Sequence, residues 1–333
     1  MKQELSFSAL LERFFTQRLM AQRRASPHTI RSYRDTFRLL LQFAAKRLHK
    51  RPSALTLSDL EPGLIGSFLD QLENARGNSA RSRNLRLTAI RSFFRYAAFE
   101  DPAHAGLIQR VLAMPSKRFE KKLVGFLTRP EIEALLAAPD RTTWAGRRDH
   151  AFLLVAVQTG LRLSEMISLR RADVALGSGA HVHCLGKGRK ERCTPLTQHA
   201  VKVLQRWLQE PKRGDGEIVF PNARGHPLSA DGVQYLLAKH VAVAGERCPS
   251  LKAKRVTPHV LRHSAAMELL QAGVVRSVIA LWLGHESVET TQMYLDANLA
   301  LKEQALAKTT PANAKATGRY RPDDKLLAFL KGL

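Results

Sequence analysis

Apolar residues recur at helical spacing through the first hundred positions. Ile30, Tyr33, Phe37, Leu40, Leu41 and Ala44 lie three and four apart, the pattern of one buried helix face. Ser26-Pro27 supplies the start of that helix: a side-chain oxygen at the N-cap, then a ring at the first helical position, where a missing N–H costs nothing. A second helix of the same kind spans roughly Ser79 to Phe99 on Leu87, Ile90, Phe94 and Ala97. An opening helix from Phe7 to about Met20 and another near Leu60–Glu73 complete an all-helical front domain. Beside the two main apolar stripes run basic ones, Arg31, Arg34 and Arg38 on the first and Arg83, Arg86, Arg91 and Arg95 on the second. Such stripes are often plain solvated faces, so alone they favour a polyanionic partner only mildly.

The periodicity stops at Met114-Pro-Ser-Lys-Arg-Phe-Glu-Lys-Lys122, a charged stretch that reads as a linker able to follow a phosphate backbone. Thr128, with Glu131 three residues on, forms a capping box and opens a second domain. That domain is mostly helical with one β interruption. His181-Val-His-Cys184, the glycine-rich Leu185–Lys190 and Glu191–Pro195 read as strand, turn and strand, and Glu217–Phe220 is expected to add a third strand. Beyond about Ala307 the chain turns Thr/Pro/Ala/Asn-rich, then ends in an amphipathic helix candidate bearing Leu326, Leu327, Leu330 and Leu333. The expected plan is a helical domain over 1–113, a linker over 114–127, a second domain over 128–308 and a tail over 309–333.

Composition narrows the partner. The 333 residues carry 53 Lys and Arg against 29 Asp and Glu, a formal net charge of +24, and 44% of them are hydrophobic. A core of ordinary size is therefore affordable, which excludes a disordered basic tail. Residues 1–122 carry a net +13 and residues 123–333 a net +11, so the charge is not confined to one disposable segment. Basic surfaces on both domains suit a clamp on duplex nucleic acid. No run approaches the ~18 apolar residues of a membrane span, and the N-terminus has charges where a signal peptide would be apolar. Three cysteines in a chain of this length do not form a disulfide framework, so a cytoplasmic setting is expected.

Four segments of the second domain carry candidate chemistry: Thr159-Gly-Leu-Arg-Leu-Ser-Glu165, Gly186-Lys-Gly-Arg-Lys190, Thr257-Pro-His-Val-Leu-Arg-His263 and Leu283-Gly-His-Glu-Ser-Val-Glu-Thr-Thr-Gln-Met-Tyr294. Together they resemble the tyrosine recombinases, or phage-integrase family, whose pattern is Arg, Lys, His-x-x-Arg, His and then Tyr nine residues later; His285 and Tyr294 keep that spacing. The resemblance spans roughly residues 7–298 and implies a mainly α fold with a small β-sheet: a helical core-binding domain, then an α+β catalytic domain, closing as a C-shaped clamp on DNA. It also implies roles. Tyr294 is the nucleophile, and Arg162 and Arg262 hold the non-bridging phosphate oxygens. His259 and His285 bind phosphate or handle protons, Lys187 protonates the departing 5′ oxygen, and Glu165 orients an arginine.

These roles match what the chemistry demands. Breaking a phosphodiester without losing its energy needs a protein nucleophile that yields another phosphodiester, and the transition-state charge must meet fixed cationic donors. No metal or other cofactor is expected. His259 and His263, at i and i+4, could ligate zinc but lack a third ligand in the pattern, so His263 reads as structural. His181 and His183 share a strand face from which Cys184 points away, which disfavours a metal shared with Cys193. Arg31, Arg34, Arg83, Arg91, Lys121 and Lys122 are the candidate DNA contacts.

The expected partner is double-stranded DNA with inverted-repeat core sites, cut and rejoined through a 3′-phosphotyrosyl intermediate by a homotetramer, with or without a paralogous recombinase. The helical domain begins within the first ten residues, so no extra arm-binding domain is expected, and the plan resembles Xer and simple transposon-borne enzymes. Leu281-Trp-Leu-Gly-His285 and the 39 residues after Tyr294 depart from a Xer pattern and tilt the expectation toward mobile-element integration or excision. Xer-type dimer resolution, a type IB topoisomerase and a DNA-binding regulator on a decayed scaffold are the alternatives.

Overall fold

The computed structural model describes residues 6–120, 124–186, 191–211, 213–214 and 216–284. They fall into two compact units that divide between Lys121 and Lys122. Lys121, Lys122, Lys187, His285, Tyr294 and the 309–333 tail lie outside the described residues.

In the first unit, α1 (Phe7–Arg13) continues without a break into a π-type helical segment over Phe14–Gln22. Helix α2 (Pro27–Leu48) starts where its cap predicts, the Ser26 hydroxyl accepting the Thr29 N–H at 3.2 Å. Helices α3 (Pro62–Asn74), α4 (Ala80–Glu100) and α5 (Ala105–Ala113) follow, α4 again capped by a serine, Ser79. Their shared core is aromatic. Phe14 is fully buried and meets Phe93 edge-on at 5.5 Å, and Phe93 meets Phe37 at 5.3 Å. Pairs of this geometry each add about 0.5–1.5 kcal/mol beyond their burial, which helps a five-helix unit hold one arrangement.

Two sequence expectations are corrected here. Arg83 does not stand on the exposed basic face of α4. It is 7% exposed, its Nε 3.3 Å from a Glu73 carboxylate oxygen and its Nη2 3.8 Å from Asp70. The reason is register: 83, 87, 90 and 94 form an i, i+4, i+7, i+11 track, so Arg83 lies at the head of the buried stripe and needs acidic partners there. The second correction concerns the linker. Asn84 donates to the Lys117 carbonyl at 2.8 Å and accepts the Lys117 N–H at 3.0 Å, which ties the chain to the first unit as far as Lys117. On the other side, Val124 and Phe126 pack against a small cluster around Ile279 and Leu283, and Leu127 is buried in the main core of the second unit.

The second unit is built around α7 (Trp144–Thr159), which is buried on every side from Ala151 to Val157. Around it lie α6 (Arg129–Ala137), α8 (Leu163–Ile167), α9 (Gln198–Leu208), α10 (Ala230–Arg247), α11 (Pro258–Gln271) and α12 (Arg276–Leu283). The Glu131 carboxylate accepts the Thr128 N–H at 2.8 Å, as the capping box predicts. The sheet has the order β1-β2-β3, all antiparallel: β1 (Val174–Ala175), β2 (His181–Leu185) and β3 (Glu191–Pro195). The expected hairpin is present, with His183 opposite Cys193 and Cys184 opposite Arg192. The third strand is not Glu217–Phe220. That segment makes a single bridge, Ile218 to Arg170, and the sheet edge is taken by Val174–Ala175 instead. Val219 and Phe220 are buried in the core and Trp207 donates to the Val219 carbonyl at 2.7 Å, so the apolar run signals side-chain burial rather than a ladder.

Candidate active site

The segment Thr159-Gly-Leu-Arg ends one helix and begins the next within four residues. Thr159 is buried, its hydroxyl donating back to the Val155 carbonyl at 2.6 Å. Gly160 caps α7 in the left-handed region at φ 62°, where a side chain is strained. Arg162 is the N-cap of α8 in extended backbone, and its N–H donates to Glu165 Oε2 at 2.7 Å. The motif is thus a stop signal and a start signal placed so that Arg162 stands at the corner between them.

Arg262 reaches the same corner from α11. Its Nη1 donates to the Gly160 carbonyl and its Nη2 to the Leu283 carbonyl, both at 2.6 Å, and the residue is 5% exposed. Arg162 donates from Nη1 to Glu165 Oε1 at 3.0 Å and from Nη2 to the Gly284 carbonyl at 2.8 Å, with its side chain 26% exposed. Arg262 therefore ties the ends of α7 and α12 together, Arg162 reaches the second of these corners, and the residue after Gly284 in sequence is His285. Gly284 is also left-handed, at φ 62°, and a Cβ on it would come within 2.8 Å of Arg192 Nη1. At Gly160 a Cβ would sit 2.6 Å from Leu283 Cδ2. Gly160→Ala should therefore lose about 1–2 kcal/mol to the left-handed backbone and about 1–3 kcal/mol more to overpacking. Urea unfolding checks this, and a midpoint equal to that of the parent protein refutes it.

Glu165 is 7% exposed and forms four hydrogen bonds, two with Arg162 and two with Arg192 of β3, the latter at 3.1 and 2.6 Å. Burial works against its ionised form, but the Arg192 hydrogen bond, the Arg162 N–H and the charges around it outweigh burial and hold its pKa below the usual value. The reading of Glu165 as an orienter of Arg162 agrees with this geometry. Arg192 was not anticipated. The signal for it was available: it shares a strand face with buried Thr194, and a charged residue on an inward face needs a partner.

His259 is exposed in the first turn of α11, and its ring stacks on that of His263 at 6.4 Å. Burial, then electrostatic repulsion from His259 and Arg262, pushes the His263 pKa down to about 4. His263 is therefore neutral at neutral pH, in keeping with a packing role. Among the described residues no group of three His, Cys, Asp or Glu side chains is placed to hold a metal ion. Of the candidate DNA contacts, Arg31 and Arg34 are exposed on α2, while Arg91 is half-buried and donates to the Ser116 hydroxyl at 3.3 Å.

Arg162 and Arg262 thus hold the ends of two helices, each closed by a left-handed glycine, Gly160 and Gly284. Residues 125–300 match the phage integrase family, and residues 11–101 match the phage integrase N-terminal SAM-like domain. The chain belongs to the phage integrase family, the tyrosine recombinases, and is a DNA strand-transferring enzyme of the site-specific recombinase class. It is 66% identical over 333 residues, the whole of both chains, to y4rC of Sinorhizobium fredii, which is named as an integrase/recombinase. It is 31% identical over 308 residues to the tyrosine recombinase XerC of Chlamydia caviae, covering 86% of this chain and 94% of that one. A crystal structure of the XerH site-specific recombinase bound to a palindromic difH substrate shares the fold, with a TM-score of 0.69 and 22% identity over 86% of this chain and 81% of that one.

Proposed function

We propose that this recombinase acts in integration or excision of a mobile element, cutting duplex DNA at inverted-repeat core sites as a homotetramer in the cytoplasm. The convergence of Arg162 and Arg262 on the corner preceding His285 carries the mechanistic part of this reading. In the proposed reaction the Tyr294 hydroxyl oxygen attacks the scissile phosphorus, and the phosphorus–5′-oxygen bond breaks. The phenolic proton passes to a histidine of the site, His259 or His285, and the 5′ oxygen takes a proton from Lys187. Arg162 and Arg262 stabilise the charge gathering on the non-bridging oxygens, the term that dominates when donors are fixed in advance. The product is a 3′-phosphotyrosyl bond and a 5′-hydroxyl, so the steps run equally well in reverse and rejoin the strand.

Exposed Arg31 and Arg34, partly exposed Arg91, and Lys121 and Lys122 are proposed to meet phosphates. No helix among the described residues is long and apolar enough to cross a membrane. The tilt toward a mobile element rests on the full-length likeness to a protein named integrase/recombinase, set against lower identity to XerC proteins. The test is covalent trapping on a nicked duplex carrying a site selected from a randomised pool. An adduct that resists denaturant, forms in EDTA and needs no nucleotide supports the reading. Affinity for the same duplex should fall by roughly 10³-fold or more between 50 and 200 mM salt if about six or more phosphates are neutralised. A salt-independent affinity or a strict metal requirement would overturn it.

A further inference from the structure

The Glu165 carboxylate receives two guanidinium groups, which is one more than orienting Arg162 requires. Arg192 approaches it end-on from β3 with Nη1 3.1 Å from Oε1 and Nη2 2.6 Å from Oε2, a bidentate fork, and its side chain is 10% exposed. The absence of a side chain on Gly284 makes room for that fork. Arg162 paired with Glu165 alone would be a neutral unit, and a phosphate arriving beside it would meet little net attraction. With Arg192 present, two cations surround one anion, and the trio keeps a net charge of +1 next to the corner where Arg262 also sits.

Resting on the reading of Arg162 as a phosphate-binding arginine, we propose that Arg192 is a positioning residue for strand cleavage. By pairing with Glu165, it keeps that carboxylate from neutralising Arg162. A guanidinium suits the task because its fork engages both carboxylate oxygens at once and it stays ionised even when nearly buried. The strand that carries Arg192 begins at Glu191, four residues after Lys187 in sequence, and the contact joins β3 to the start of α8.

The charge assignment makes a prediction that a mere strut would not. Arg192→Gln leaves Glu165 facing Arg162 alone, net zero. Adding Glu165→Gln removes the surplus anion and restores +1. In single-turnover cleavage of the nicked selected duplex by the full chain, Arg192→Gln should be slower by about tenfold or more, on the scale of one lost electrostatic donor. Its affinity for that duplex should stay within about threefold, since one site phosphate is a small part of a many-phosphate interface. The double variant Glu165→Gln/Arg192→Gln should cleave at least about threefold faster than Arg192→Gln, a coupling readable from the mutant cycle. Arg192→Lys, which keeps the charge but gives up the bidentate fork, should lose less than about tenfold, falling between the parent protein and Arg192→Gln. A double variant no faster than Arg192→Gln, or Arg192→Gln cleaving at the parent rate, overturns the proposal. If Arg192→Gln loses its cooperative melt, Arg192→Lys decides: a loss of less than tenfold supports the charge role, and a loss of tenfold or more overturns it. Failure of the unmutated protein to form any adduct overturns the underlying cleavage reading along with this one, and is recognised because it appears before any substitution is made.

Discussion

Tyr294→Phe is expected to bind the selected duplex with unchanged affinity and to form no covalent adduct at all. The substitution removes one oxygen and keeps the ring, so neither the charge of the DNA-binding surface nor the packing volume changes appreciably. What disappears is the atom that would become bonded to phosphorus. A neighbouring water cannot substitute for it without changing the product, because hydrolysis would leave a 3′-phosphate and no protein–DNA bond. Gel-shift titration measures the first half of the expectation, and denaturing electrophoresis after proteinase treatment measures the second. An adduct that survives in the phenylalanine variant would transfer the role to another residue, with Tyr320 the first to examine.

The second large effect separates two kinds of catalytic charge. Lys187→Ala should slow cleavage of ordinary DNA by ~10²–10⁴-fold, the usual range for loss of a general acid. Replacing the scissile 5′ oxygen by sulfur should restore most of that rate, because a thiolate departs without needing a proton. Arg162→Ala should fall by roughly 10²–10³-fold for one lost fixed donor and should not recover on the sulfur substrate, since its work is on the non-bridging oxygens, which are unchanged. In the structure Arg162 is held by the Glu165 carboxylate and by the Gly284 carbonyl. Equal rescue of both variants would strip Lys187 of the acid role. Rescue of neither would pass it to Arg189, Lys190 or one of the histidines.

What could be read from the sequence was whatever is decided within a few residues. Ser26, Ser79 and Thr128 start helices in the structure as they do on paper, because a cap satisfies N–H groups of its own first turn. The strands on either side of Gly186 were legible for the same reason, and so was the short corner that brings Arg162 and Glu165 together. The misreadings all involve distant partners. Arg83 was counted as exposed because Glu73 and Asp70 belong to the preceding helix. Lys117 reads as part of a linker because the amide that holds it, Asn84, lies 33 residues away. Val219 and Phe220 were taken for a strand because an apolar run does not say whether backbone or side chains do the pairing. Arg192 escaped notice because its partner, Glu165, is 27 residues earlier.

The carbonyl anchors of Arg162 and Arg262 have a thermodynamic consequence. Freezing a free arginine side chain carries about 1.5–2 kcal/mol of rotamer entropy. Here that loss falls on folding, when the guanidinium groups lock onto Gly160, Leu283 and Gly284, and not on the encounter with DNA. On the proposed reading, a substrate phosphate would then meet donors already immobile, and little further ordering of these two side chains would oppose the transition state. The reverse also holds. A cavity or a bulky replacement around Leu283, remote from any phosphate, would loosen the carbonyls and return the arginines to their rotamer ensembles, so core packing at the end of α12 would be felt as cleavage rate.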